Sequence, residues 1–109
     1  MRVLKRSECS VLHLVLKGKW FDMISSGEKK EEYRDTTPYW RVRIGMWTFH
    51  PSRIVAFSRG YTKPTMFFHG RDVYTLSVAP SWRKPHPEWG EPKTDHWIIR
   101  LGERVELED

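Results

Sequence analysis

Lys29, Glu32 and Arg34 stand close together in a chain of 109 residues, and their types and spacing allow more than one kind of chemistry. Read for binding, the ammonium and the guanidinium meet phosphate or a base carbonyl, while the carboxylate between them orients the lysine or accepts from a base amine. Read for catalysis, Lys29 and Glu32 poise each other through burial and proximity, so that one of them acts as base on a water or on a substrate. A third reading leaves the charges to pair among themselves in a structural module, on an edge strand whose mixed charges block aggregation.

The flanking segments decide where these groups can point. Residues 19–26 read as a two-turn helix, because Trp20, Met23 and Ile24 recur at helical spacing on one face. Gly27 stands where that helix stops, and a glycine there takes the left-handed conformation without a Cβ penalty. Residues 30–36 then read as extended, with Glu32 and Arg34 on one face and Glu31 and Tyr33 on the other. Lys29 lies in the turn, so its flexible stem is expected to swing over either face.

Upstream, residues 11–17 form the first clear strand, with Leu12, Leu14 and Leu16 facing the core and Val11, His13, Val15 and Lys17 opposite. Lys17 ends this strand just before the helix, placed either to reach the cleft that holds Lys29 or to snorkel at a rim. Downstream, Thr37 and Pro38 carry helix-start chemistry, a cap followed by a proline at the first helical position. Tyr39 and Trp40 follow, then Arg41 and Arg43. Aromatics interleaved with arginines suit base stacking and phosphate pairing, and they equally suit plugging the end of a barrel. Trp40 is expected to be partly buried, and a cleft lined by Lys17, Trp20, Lys29, Glu32, Arg34 and Trp40 is the candidate binding site.

The remainder reads as strands. Residues 53–61 form one, with Val55 and Phe57 opposite Ile54 and Ala56. Residues 65–79 form a longer one that bends at Gly70, as a small barrel needs to turn a corner. Residues 80–93 hold four of the seven prolines together with Trp82 and Trp89, a loop suited to covering a cleft or capping a barrel end. Residues 96–101 form the last strand, with Trp97, Ile99 and Leu101 inward. Residues 1–10 show no periodicity and read as a lead-in, which leaves residues 11–109 as a single domain.

The spacing Gly-x-Lys-x-x-Glu-x-Arg at Gly27, Lys29, Glu32 and Arg34 resembles the signature of the ASCH domain family. The flanks agree: Leu-x-Leu-Lys at residues 14–17, a short aromatic helix, and Ile-x-x-Leu-Gly at residues 98–102. The similarity runs from about residue 11 to about residue 105, with only the central motif specific. It implies an α+β, PUA-like fold, a small β-barrel of five to six mostly antiparallel strands with one or two short helices. It also implies a cleft for RNA, a nucleotide or a modified nucleoside beside the motif. Some small members are amidohydrolases that deacylate the exocyclic amine of acetylated cytidine with a lysine, a threonine and a glutamate. Here the lysine maps to Lys29, and the threonine position is held by Glu32, so the enzyme alternative would run through Lys29 and Glu32.

Composition narrows the classes further. The net charge is +5, and residues 1–102 hold 18 basic against 10 acidic side chains, a net +8 that favours polyanions through counterion release. No run approaches the ~18 apolar residues of a membrane span, and the basic first residues lack a following signal-peptide core. No membrane partner and a cytoplasmic location are therefore expected. Cys9 is the only cysteine, which excludes an internal disulfide framework. The five histidines have no metal-binding spacing, and no phosphate-cradling glycine loop occurs, so neither a metal nor a cofactor is expected.

Overall fold

In the computed structural model, which describes residues 1–76 and 96–109, the chain forms six strands and two α-helices. In order these are β1 (Arg2–Lys5), a short 3-10 turn (Arg6–Glu8), β2 (Ser10–Leu16), α1 (Gly18–Ser25), β3 (Glu31–Asp35), α2 (Pro38–Thr48), β4 (Arg53–Arg59), β5 (Met66–Leu76) and β6 (His96–Glu108). The proline-rich loop with Trp82 and Trp89, and the last residues of the expected 65–79 strand, lie outside the described residues.

The strands join in the order β1-β6-β5-β4-β2, and β3 pairs with β6 beside β1. This mixed sheet is built from antiparallel β3–β6, β4–β5 and β5–β6 pairs and parallel β1–β6 and β2–β4 pairs. The β2–β4 crossover carries α1, β3 and α2, as a parallel connection requires. Among the described residues no backbone ladder joins β3 to β2, so the sheet is curved and open rather than closed into a barrel.

Leu12, Leu14 and Leu16 enter the core as their alternation predicts, against Trp20 and Ile24 of α1 and Ile44 and Trp47 of α2. Residues 54–58 of β4 are buried on both faces, so this central strand carries a continuous buried run where two distinct faces were expected. Trp47 fixes α2 to the sheet, its indole N–H donating to the Ser10 carbonyl at 3.0 Å and the Ile54 carbonyl at 2.9 Å. The ring lies over Gly70, where any Cβ would run into it. That close approach coincides with the register shifts that bend β5 between Phe68 and Asp72.

Two boundaries differ from the sequence reading. Residues 1–10 are not a loose lead-in: Arg2–Lys5 pairs in parallel with the end of β6, from Arg2 opposite Val105 to Lys5 opposite Glu108. The last strand likewise continues past residue 101 to Glu108. This pairing brings the basic start beside the acidic end, and Arg6 meets Asp109 at 3.2 Å. The three bases of residues 1–6 thereby offset the net −3 of residues 103–109, and the net +5 of the chain falls on what lies between.

Candidate nucleotide-binding cleft

The end of α1 fixes the position of Lys29. Gly27 has φ +84°, and its N–H donates to the Ile24 carbonyl at 3.1 Å, while the Lys29 N–H donates to the Met23 carbonyl at 3.0 Å. These bonds satisfy carbonyls that the last helical turn leaves open. The Lys29 side chain does not swing freely. It is 6% exposed, directed over the rings of Trp20 and Tyr33 at 5.5 and 5.9 Å, and its Nζ donates to Glu32 Oε1 at 2.8 Å.

Strand alternation places Arg34 beside Glu32 on the same side of β3, and Glu32 Oε2 lies 3.1 Å from Arg34 Nη1. On the opposite side the Tyr33 hydroxyl donates to Glu31. Glu32 is 2% exposed, and its Oε1 also accepts from the Tyr33 N–H at 2.9 Å. Arg34 donates from Nη1 to the Tyr33 carbonyl at 2.8 Å and from Nη2 to the Val15 carbonyl of β2 at 3.3 Å. The guanidinium thus spans the unpaired seam between β3 and β2. Glu32 Oε2 holds an ion-pair contact with this guanidinium but no aligned hydrogen bond among the described residues.

Burial works to raise the Glu32 pKa, but the Arg34 guanidinium, the Lys29 ammonium, the hydrogen bond from Lys29 and the Tyr33 N–H together outweigh it. The carboxyl is held below its ordinary value of 4.5 and is ionised at neutral pH. A carboxylate stabilised in this way is a poor proton acceptor and a strong anchor for cations and N–H donors.

A cleft of about 700 Å³ opens along the seam. It gathers all six residues expected to line a site: Lys17, Trp20, Lys29, Glu32, Arg34 and Trp40. Trp20 lies beneath Lys29, and Trp40 lies beneath Arg34 at 5.4 Å. Trp40 is partly buried, as expected, while Lys17 stands at the N-terminal boundary of α1 as an exposed rim residue, with no capping bond from its side chain. Thr37 caps α2, its hydroxyl accepting from the Trp40 N–H at 3.4 Å, with Pro38 in the first turn. A second cavity of about 760 Å³ lies across Lys29, toward the bend of β5. It is slightly larger but contains neither Glu32 nor Arg34, so the cleft at the seam is the candidate site.

The structure adds residues that the sequence did not single out. His13 faces the cleft from β2, its Nε2 sharing a hydrogen bond of 2.6 Å with the buried Ser58 hydroxyl. Its position on the same strand face as Lys17 was the available signal. Tyr33 lines the wall, and Tyr61, fully exposed, stands at the rim just after Gly60, which turns the chain at φ +65°. Tyr39 and Arg43, which the sequence marked among the aromatics and arginines after Pro38, complete the lining from α2. The cleft holds four cations, Lys17, Lys29, Arg34 and Arg43, against two carboxylates, Glu32 and Asp35. Among the described residues no group of three or more His, Cys, Asp or Glu side chains comes together, and no helix is long and apolar enough to cross a membrane.

Comparison with protein-family models, with curated proteins and with solved structures found no match to this chain.

Proposed function

We propose that this chain is a binding module of ASCH type that holds RNA, a nucleotide or a modified nucleoside in the cleft between β2 and β3. In this reading the curved sheet is an incompletely closed PUA-like β-barrel, and the cleft occupies its last gap. The observation that carries the proposal is the buried Lys29–Glu32–Arg34 cluster at the floor of a cleft with aromatic walls and an excess of cations. Each part suits one part of a nucleotide. The Trp40 indole and the Tyr61 phenol offer faces for a base, Lys17 at the rim meets phosphate, and the buried Glu32 holds Lys29 and Arg34 in place beneath them.

The amidohydrolase alternative asks Glu32 to take a proton from water. A carboxylate held ionised by two cations is poorly suited to that task, which favours binding over turnover.

Titration of labelled single-stranded RNA, of mononucleotides and of acetylated cytidine at low and at raised salt tests the reading. The expected result is binding that weakens steeply with salt, and weakens at every salt when Lys17 or Arg34 is replaced by alanine. No binding of any of these ligands at low salt would sink the proposal. Release of acyl group from acetylated cytidine by the native chain, abolished in Lys29→Ala, would replace it with the hydrolase.

A further inference from the structure

The ring contacts do not stop at the floor of the cleft. Arg34 lies over Trp40 at 5.4 Å, Trp40 meets Tyr39 edge to face at 5.0 Å, and Arg43 lies over Tyr39 at 5.2 Å. Cation, aromatic, aromatic and cation thus form one continuous ladder. Its inner end, Arg34, contacts the buried Glu32; its outer end, Arg43, is exposed on α2, and Tyr39 is 59% exposed.

Two physical points give the outer rungs a meaning. Tyr39 and Arg43 are one helical turn apart, about 6 Å along the axis, so the ladder runs along the α2 wall of the cleft and not across its floor. An exposed tyrosine with a guanidinium held against it also offers a stacking surface beside a phosphate-pairing fork, the combination that single-stranded nucleic acid uses. A single nucleotide seated on the floor reaches Lys17, Arg34 and Trp40 and leaves these rungs unused.

We infer that Tyr39 and Arg43 form a second nucleotide subsite, so that the ligand of the cleft is a single-stranded RNA chain that leaves along α2, not a free nucleotide. This rests on the binding function proposed above and extends it from a ligand class to a polymer.

The test compares a mononucleotide with a single-stranded RNA of about eight nucleotides, a length within the usual footprint of such sites, by fluorescence or calorimetric titration. The RNA is expected to bind more tightly than the mononucleotide. Tyr39→Ala should weaken RNA binding about tenfold, Tyr39→Phe should restore it, and Arg43→Ala should weaken it while lowering the salt slope by about one. Mononucleotide affinity should not change in any of the three. Equal affinity for the two ligands overturns the inference while leaving the binding function standing, as does RNA binding that ignores all three substitutions or mononucleotide binding that falls in parallel. Failure of both ligands to bind the native chain overturns the functional reading and the inference with it.

Discussion

Lys29 Nζ lies 2.8 Å from Glu32 Oε1 with both side chains withdrawn from solvent, and the lysine reaches that position because its own backbone N–H is tied to the end of α1. Helix, turn and strand therefore meet in one buried ion pair. Arg34 supplies the second cation, so Glu32 is held from two sides.

Removing Lys29 should be costly. Lys29→Met leaves the buried carboxylate with Arg34 alone, and breaking a buried pair by deleting one partner costs about 3–5 kcal/mol. For a domain of this size that corresponds to a fall in Tm of more than about 10 °C in thermal denaturation. A shift of a degree or two would show that the pair is solvated in solution.

Acid should destabilise the fold through Glu32. Its folded pKa is depressed, so the stability from the ionised carboxylate is fully present above the unfolded value of 4.5 and is lost as pH falls through the folded pKa. Melting curves recorded from about pH 7 to about pH 3 should show Tm falling below pH 4.5, with a shallower fall in Glu32→Gln. Identical acid slopes in the two proteins would assign the loss to other carboxylates.

Arg34 should not tolerate lysine. Its fork reaches the Tyr33 carbonyl and Glu32 from one nitrogen and the Val15 carbonyl from another, and the single nitrogen of a lysine cannot stand at both places. Arg34→Lys is expected to weaken RNA binding about as much as Arg34→Ala. Near-native affinity in Arg34→Lys would mean that only its charge matters.

Gly70→Ala should destabilise by about 1–3 kcal/mol, because the new methyl overlaps the Trp47 ring. The penalty should shrink in a Trp47→Leu background, where the double-mutant cycle reports the coupling. Additive effects would place the strain elsewhere in β5.

Much of this arrangement was legible in the sequence where local rules govern. Gly27 ends α1 with positive φ, Thr37 and Pro38 start α2, β5 shifts register around Gly70, and alternation brings Glu32 beside Arg34. The spacing of the motif thus anticipated that the charged ends of Lys29, Glu32 and Arg34 lie together. What depends on distant partners was hidden. Arg2–Lys5 carries no alternation because it runs along one end of β6 with Val3 exposed, so only the pairing reveals it as a strand. The cleft itself was equally hidden, since it depends on β2 and β3 lying close without a ladder between them. His13 and Tyr61 enter it through that geometry and not through any spacing to the motif.

The seam between β3 and β2 also determines what sets the width of the cleft. Across a continuous sheet, neighbouring strands are held about 4.7–4.9 Å apart by repeated backbone bonds, and such a floor has one fixed gauge. Here the span from β3 to Val15 is made by the side chain of Arg34. Losing that contact breaks no ladder bond, because β2 and β3 are each held by other strands of the sheet. A substitution at position 34 therefore alters the seam while every strand pair stays in place.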